Sequence, residues 1–187
     1  GIRDPEMSRV LGDVYKRQGM NSLEGVMVVG LTGQTGAGKT TVCRIFSENG
    51  FSIINADHVA RQVMEKGQPC LKEICEFFGK DILLENGILD RPKLAGLVFT
   101  DKKKLELLNS ITYPYITSEI LKTIRRLSFQ GNKLILLDAP TLFESRADDF
   151  CELIISVISR DNLRLERIVE RDKISRESAQ YLSLIHI

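Results

Sequence analysis

The sequence predicts an α/β protein in which helices cover both faces of a parallel sheet. Two observations predict this class. Short apolar segments of strand length recur along the chain, and segments with helical periodicity separate them. The composition agrees, because 43% of the 187 residues are hydrophobic and 27% are charged. Such a composition is typical of a globular domain and disfavours a disordered chain or a coiled coil.

The first predicted strand is the apolar run VMVVGL at 26–31. A continuous apolar run of this length is typical of a strand buried on both faces. A glycine-rich turn follows, and residues 40–49 then have apolar positions at helical spacing. The pair Asn49–Gly50 provides a helix stop, so the segment predicts a strand, a tight loop and a helix in that order.

Three further strands are predicted at 51–55, 133–138 and 153–158. The second and third are separated by a long segment, 57–130, that is mostly helical in pattern. This segment is too long for a simple crossover and predicts an inserted helical subdomain. Turn residues predict breaks in it at Gly67–Pro69, Glu85–Gly87, Arg91–Pro92 and Tyr113–Pro114.

The charged segment at 160–171 predicts a helix, and Ser175 marks the start of another. Arg164, Arg167 and Arg171 fall three and four residues apart and therefore share one helical face. Two interpretations stay open. The row of arginines could be a lid over a transferring phosphate, or it could be a solvated face whose arginines pair with neighbouring glutamates.

The segment GQTGAGKT, which begins at Gly33, matches the phosphate-binding loop pattern GxxxxGK[ST]. Gly33, Gly36 and Gly38 allow backbone N–H groups to point at phosphate oxygens, and the helix that follows adds its dipole. Lys39 can reach the β- and γ-phosphates, and the Thr40 hydroxyl is placed to bind Mg²⁺. The motif therefore predicts ATP or GTP binding.

The loop and its context predict a three-layer P-loop NTPase fold with an inserted helical substrate subdomain and a helical lid. The sequence lacks a DxxG motif, and Asn132–Ile135 lacks the aspartate of the GTPase base-reading motif. Asp138 is followed by Ala139–Pro140 rather than by a second acid, which disfavours motor and AAA-type ATPases. A small kinase remains. We expect its nucleotide to contact Gly33, Gly36, Ala37, Gly38, Lys39, Thr40 and Thr41.

Two aspartates follow predicted strands, where parallel sheets border their ligands. Asp57 is a candidate base or partner for the acceptor hydroxyl. The alternative is that it is the N-cap of a helix that begins at His58, and the two roles can coexist. Asp138 could hold a water bound to Mg²⁺, or it could simply start a turn before Pro140.

Charge and cysteine content bear on the partners of the protein and on its cellular compartment. Lys plus Arg number 26 against 25 Asp plus Glu, which gives no general electrostatic case for nucleic acid or an anionic membrane. No apolar run is long enough to span a bilayer. The four cysteines form no CxxC pair and predict reduced thiols in the cytoplasm. We expect a monomer or a weak homo-oligomer.

Both ends of the sequence resemble a sequencing-library adaptor. Residues 182–187 can be back-translated as CTG-TCT-CTT-ATA-CAC-ATC, and the reverse complement of that DNA encodes DVYKRQ, which occurs near the N-terminus. We therefore expect 1–18 and 182–187 to be non-native. On this view, natural translation starts at Met20 or Met27, and the natural protein continues beyond Tyr181.

From residue 28 to residue 180 the sequence resembles the dephospho-coenzyme A kinases. The resemblance is carried by the loop segment VGLTGQTGAGKTT, by INADHVAR after the second strand and by LDAPTLFES at the third. Further matches are GKDIL, LDRPKL, LER and RD. Two departures are Asn55, where the family has an aspartate, and Tyr113, where it has a histidine. The last lid residues and final strand and helix of the family are also missing.

The resemblance implies phosphorylation of the ribose 3′-hydroxyl of dephospho-coenzyme A by ATP with Mg²⁺. It implies catalytic roles for Lys39, Asp57, Arg167 and Arg171, substrate contacts from Asp57, Arg61, Asp90 and Arg91, and metal contacts from Thr40 and Asp138. The domain would span 19–181, with a core of 26–58 and 132–160, a substrate subdomain at 59–131 and a partial lid at 161–181. Alternatives are another small-molecule kinase or a non-catalytic nucleotide-binding module.

Overall fold

The computed structural model describes residues 25–99, 101–177 and 180. The proposed adaptor segments, 1–18 and 182–187, and the candidate start at Met20 lie outside these residues. The strands are β1 (Met27–Gly33), β2 (Ser52–Asn55), β3 (Leu134–Asp138) and β4 (Leu153–Val157). The α-helices are α1 (Lys39–Glu48), α2 (Ala56–Val63), α3 (Pro69–Phe78), α4 (Arg91–Phe99), α5 (Lys102–Phe129) and α6 (Asp161–Asp172). Short 3₁₀ helices cover Lys80–Ile82 and Ala147–Phe150.

The four strands form one sheet in the order β2-β3-β1-β4. β1 pairs in parallel with both β3 and β4, and the first register aligns Met27 with Leu134 and Leu31 with Asp138. The five central residues of β1 are all buried, as its continuous apolar run predicts. The predicted α/β class and parallel sheet are therefore confirmed, and the carboxyl ends of β1 and β3 meet at one edge.

The packing of α1 on the sheet fixes the position of the loop that precedes it. Val29, Leu31 and Leu136 form a buried cluster, and the partly buried Phe46 of α1 packs against it together with Phe51. The two phenylalanine rings meet edge to face with centroids 4.8 Å apart. Such a pair contributes about 0.5–1.5 kcal/mol beyond its area burial.

Two compact units divide the chain: one holds the described residues through Ile54 and from Leu121 onward, and the other holds 55–120. The second unit is helical, as predicted, apart from one antiparallel bridge between Leu83 and Leu89. Its helices are separated at the first two predicted breaks, and α4 begins at the third, Arg91.

The predicted break at Tyr113–Pro114 is wrong, because α5 continues through Pro114. Proline removes one helical hydrogen bond and crowds the preceding turn. Ile111 and Ile116, on either side of Pro114, are both buried. Burial of these apolar side chains favours the helical conformation on both sides of the proline.

No helix in the described part of the chain is both long and apolar enough to cross a bilayer. In the C-terminal region, Arg176, Glu177 and Gln180 have helical conformation, in line with the helix predicted from Ser175. The end of that predicted helix lies outside the described residues.

Candidate active site

The loop between β1 and α1 has the backbone that its glycines predict. Gly33, Gly36 and Gly38 have φ values of 144°, 78° and 108°. A Cβ atom on Gly33 would collide with the carbonyl oxygen of Val157, and one on Gly36 would lie 2.8 Å from the carbonyl oxygen of Arg164. At these positions, both conformation and close packing require glycine.

Lys39 and the first turn of α1 complete the loop. The N-cap is Gly38 in a left-handed conformation, and Thr40 and Thr41 follow with exposed side chains. The Lys39 ammonium donates a hydrogen bond to the Gly33 carbonyl oxygen at 2.7 Å, which holds it across the loop. A helix N-terminus with an adjacent ammonium group favours an anionic ligand such as a phosphate.

Asp138 lies beside this loop at the end of β3. It is aligned with Leu31, and the Ala139 amide donates to the Leu31 carbonyl oxygen at 3.0 Å. Burial raises the pKa of the Cys43 thiol to about 11, the Asp138 charge and a hydrogen bond to Asp138 add to the rise, and the Lys39 charge opposes it. The charges of Lys39 and Asp138 therefore both influence the Cys43 thiol, which places the two side chains near each other beside the loop.

The arginine row of α6 divides into three environments. Arg164 is only 5% exposed, and its guanidinium donates to the Thr35 carbonyl oxygen at 3.2 Å and to Asp161 at 2.8 Å. Arg167 is exposed and donates to the carbonyl oxygens of Gly36 and Ala37.

The third arginine, Arg171, makes two 2.7 Å hydrogen bonds to Asp172, which raises the pKa of Arg171 and lowers that of Asp172. The interpretation of the row as a solvated face is wrong for Arg164, because Arg164 is buried against the loop. The carboxylates paired with Arg164 and Arg171 are aspartates rather than the neighbouring Glu166 and Glu170.

Asp57 lies in the second unit, in the first turn of α2. Asn55 is the N-cap of this helix, and its side-chain oxygen accepts a hydrogen bond from the His58 amide at 2.8 Å. The interpretation of Asp57 as the N-cap is therefore wrong, because the helix begins at Ala56, two residues earlier than predicted. Asp57 is exposed and lines an open recess of about 490 Å³ with Asn55, His58 and Arg61.

The predicted substrate residues Arg61, Asp90 and Arg91 also belong to the second unit. The Arg91 guanidinium donates to the Arg61 carbonyl oxygen at 3.3 Å, and its pKa is lowered by burial and by the charge of Arg61. Two neighbouring guanidinium groups favour an anion between them. Asp90 instead accepts a hydrogen bond from the Lys93 amide at 3.1 Å and so caps the start of α4.

The residues predicted to hold Mg²⁺ have donor chemistry that suits the ion. Among the residues that the structure describes, no group of three or more His, Cys, Asp or Glu side chains could hold a metal on its own. The Thr40 hydroxyl and the Asp138 carboxylate would supply two oxygen donors. Mg²⁺ commonly binds through one or two protein oxygens together with phosphates and water, so the set fits.

Sequence reasoning missed two residues near these sites. His58 lines the recess beside Asp57, and no motif in the sequence indicates this position. Arg164 was recognised only as part of the arginine row, and its contact with Thr35 joins residues 129 positions apart. The spacing of the row indicates a shared face but does not indicate what that face contacts.

A strand–loop–helix unit of this geometry, with a lysine held across the loop, defines a nucleotide-binding protein of the P-loop class. A family model described as dephospho-CoA kinase matches residues 27–184. The chain belongs to the dephospho-CoA kinase family. Its activity is ATP-dependent phosphorylation of the ribose 3′-hydroxyl of dephospho-coenzyme A, the final step of coenzyme A biosynthesis.

Relatives from distant organisms agree. Dephospho-CoA kinase from Carboxydothermus hydrogenoformans is 41% identical over 81% of this chain and 74% of the relative. The Fusobacterium nucleatum enzyme is 43% identical over 83% of this chain and 78% of the relative. The Oryza sativa enzyme is 41% identical over 82% of this chain and 66% of the relative.

Two solved structures share the fold. TT1252 from Thermus thermophilus has a TM-score of 0.74 at 26% identity and covers 87% of this chain and 81% of its own. Dephospho-CoA kinase from Campylobacter jejuni has a TM-score of 0.58 at 29% identity, and the match covers 82% of this chain and 77% of that structure's chain.

Proposed function

We propose that the loop amides and Lys39 bind the triphosphate of ATP for transfer to dephospho-coenzyme A. The observation that carries this proposal is the glycine backbone at Gly33, Gly36 and Gly38 together with the Lys39 ammonium on the Gly33 carbonyl. An ammonium group has three donors, so two remain for phosphate oxygens. Little covalent chemistry is required of the protein, and positioning and charge stabilisation provide the catalysis.

Thr40 and Asp138 would hold Mg²⁺, Thr40 directly and Asp138 through a bound water. When bound, the ion neutralises charge on the β- and γ-phosphates. The position of Asp138 beside Leu31, at the carboxyl end of β3, supports this role. Its Oδ1 atom is buried and shielded from bulk water. A carboxylate interacts more strongly with a cation in such an environment than it does in water.

Asp57 would orient or deprotonate the ribose 3′-hydroxyl. Its exposed carboxylate lines the recess and is not required as the helix cap, since Asn55 has that function. Arg61 and Arg91 would bind anionic groups of dephospho-coenzyme A, and Asp90 would contribute by holding the start of α4. Arg167 and Arg171 would neutralise charge on the transferring phosphoryl group.

The proposed assignment of regions follows these roles. Residues 26–58 and 132–160 would form the nucleotide-binding core, 59–131 the acceptor subdomain and 161–181 the lid. Cytoplasmic localisation and a monomeric or weakly homo-oligomeric state belong to the same proposal. Four free thiols support a reducing compartment.

Substitution of Asp57 by asparagine tests the proposal directly. Asparagine has nearly the same shape but cannot accept a proton, so kcat should fall by about 10²–10⁴-fold, the usual contribution of a general base. The Kd for ATP, measured by calorimetry, should stay within twofold because Asp57 is assigned to the acceptor. Glu76→Gln, at an exposed position of the same unit outside the family motifs, is the matched control. An equal loss in kcat and ATP affinity would contradict the assigned role.

A further inference from the structure

Two arginines of α6 hold three successive carbonyl oxygens of the phosphate-binding loop. The Arg164 Nε atom donates to Thr35 at 3.2 Å. The Arg167 Nη1 atom donates to Gly36 at 3.2 Å and to Ala37 at 3.3 Å. The outer side of the loop is therefore bound by guanidinium groups, and these contacts are additional to the motif itself.

Arg164 and Arg167 differ in their access to a ligand. Arg167 is exposed, and its guanidinium retains donors for a phosphate. The Arg164 side chain is almost fully buried, with one nitrogen on Thr35 and another on Asp161. A group enclosed in this way acts on the loop rather than on the substrate.

The backbone of α6 is seated on the same part of the loop. The Arg164 carbonyl oxygen lies so close to Gly36 that an added Cβ would be 2.8 Å from it, and Ile168 would be 3.1 Å from that Cβ. Ile168 is fully buried. Apolar packing by Ile168 and hydrogen bonding by Arg164 thus fix one face of α6 against the loop.

Peptide geometry converts this contact into an orientation of amide donors. No peptide bond in the described residues is cis, and in a trans peptide the C=O and N–H groups point in opposite directions. When Arg164 holds the Thr35 carbonyl, the Gly36 amide turns away from α6. When Arg167 holds the Ala37 carbonyl, the Gly38 amide likewise turns away from α6.

We propose that Arg164 is a positioning residue that orients the loop amides for the phosphates before the nucleotide binds. This inference rests on the proposed nucleotide site. Preorganised donors gain affinity because the loop need not be ordered during binding. Loss of Arg164 should therefore weaken phosphate binding specifically and leave binding of the acceptor unchanged.

The test compares Arg164→Met with the wild-type chain by calorimetry, with Mg-ADP, inorganic pyrophosphate and dephospho-coenzyme A as separate ligands. Methionine keeps much of the buried volume and removes the donors. Asp161 is 84% exposed, so its carboxylate remains solvated after the change. Arg44→Met, on the exposed face of α1, is the matched control.

We expect the Kd for Mg-ADP and pyrophosphate to rise about tenfold, equivalent to about 1.4 kcal/mol, with a binding stoichiometry near one. Arg164→Lys should recover part of this loss, since an ammonium group can still donate to Thr35. A reduced stoichiometry with unchanged Kd would overturn the inference, because it indicates loss of folded protein. Unchanged binding in Arg164→Met would also overturn it. Absence of ADP binding in the wild-type chain would overturn the proposed nucleotide site as well.

Discussion

At the scale of single residues, the loop combines strict backbone requirements with one cationic side chain. Gly36 illustrates the first, because its positive φ and the nearby Arg164 carbonyl both exclude a side chain. Lys39 illustrates the second, because its ammonium is held on Gly33 by one hydrogen bond. A cation already held across the loop meets an incoming phosphate with little reorganisation, which is the basis of electrostatic preorganisation.

Lys39→Ala should abolish phosphoryl transfer, with a loss in kcat of about 10³-fold or more, comparable to or larger than loss of an oxyanion donor. The reason is that Lys39 is the only cationic side chain within the loop segment 33–40, where it is assigned to the β- and γ-phosphates. A coupled assay of ADP release measures the effect. Lys133→Ala, at an exposed position before β3, is the control. Kinetics like those of the wild type in Lys39→Ala would contradict the site.

The Cys43 thiol should stay protonated and react slowly at pH 8, because burial and Asp138 raise its pKa to about 11. A thiol pKa raised above its ordinary value of 9.0 stabilises the folded protein at low pH. This contribution is complete below pH 9 and is lost as the pH rises through 11.

Alkylation by iodoacetamide, followed by mass spectrometry, measures this reactivity. Cys43 in the folded chain should be modified more slowly at pH 8 than Cys43 in the urea-unfolded chain, and the difference should shrink towards pH 11. Equal rates at pH 8 would show that the thiol is not shielded.

The residues of the phosphate-binding loop could be predicted because their spacing is rigid and local. Three glycines, a lysine and a threonine within eight positions allow few alternatives. The role of Arg164 could not be predicted in the same way, since its partner Thr35 is 129 residues away. Whether a charged helical face meets water or another element depends on tertiary packing, which the periodicity of the helix does not contain.

At the scale of elements, α2 shows how a departure from a family pattern can keep a structural function. Asn55 replaces an acid of the family signature, yet its side-chain oxygen caps the helix through the His58 amide. Asparagine and aspartate are similarly good N-caps. The departure is therefore neutral for the helix, and it leaves Asp57 as the carboxylate of this segment.

Asn55→Ala should destabilise the chain by about 1 kcal/mol, the usual effect of losing an N-cap side chain. Asn55→Asp should be within a few tenths of a kcal/mol of the wild type, because a carboxylate oxygen can accept the same hydrogen bond. Urea unfolding followed by circular dichroism measures both variants. If alanine and aspartate were equally stable, the cap would have no energetic role.

The helix α5 shows a case in which the local rule that proline ends a helix does not hold. Proline at position 114 predicts a break, and the helix continues through it for 28 residues in total. The outcome depends on Ile111, Ile116 and Ile120, which are buried on both sides of the proline. Their burial depends on what surrounds the helix, and a single segment of sequence does not supply that information.

At the scale of the whole molecule, the sheet of the described residues ends at β4. Large apolar side chains there are exposed: Leu153 by 50%, Ile154 by 37% and Ile158, just after the strand, by 88%. An exposed apolar edge strand is a template for pairing with another chain. The chain also spans only part of its relatives, 74% of the Carboxydothermus hydrogenoformans enzyme.

Ile158→Lys should reduce concentration-dependent self-association of this chain, because a lysine at a sheet edge disfavours strand pairing. We expect the apparent mass in static light scattering to rise with concentration for the wild type. For the variant, this rise should be about half as large or smaller. Ile45→Lys, on the exposed face of α1, controls for the added charge. Equal association in both variants would show that β4 is not the surface involved.

The seating of α6 on the loop carbonyls has a consequence for judging natural variation. A survey that scores genomes by the glycine–lysine pattern would count a chain lacking Arg164 as intact, although the Thr35 carbonyl of its loop would have lost the guanidinium that holds it. Polymorphisms in α6 should therefore be assessed together with those in the loop itself.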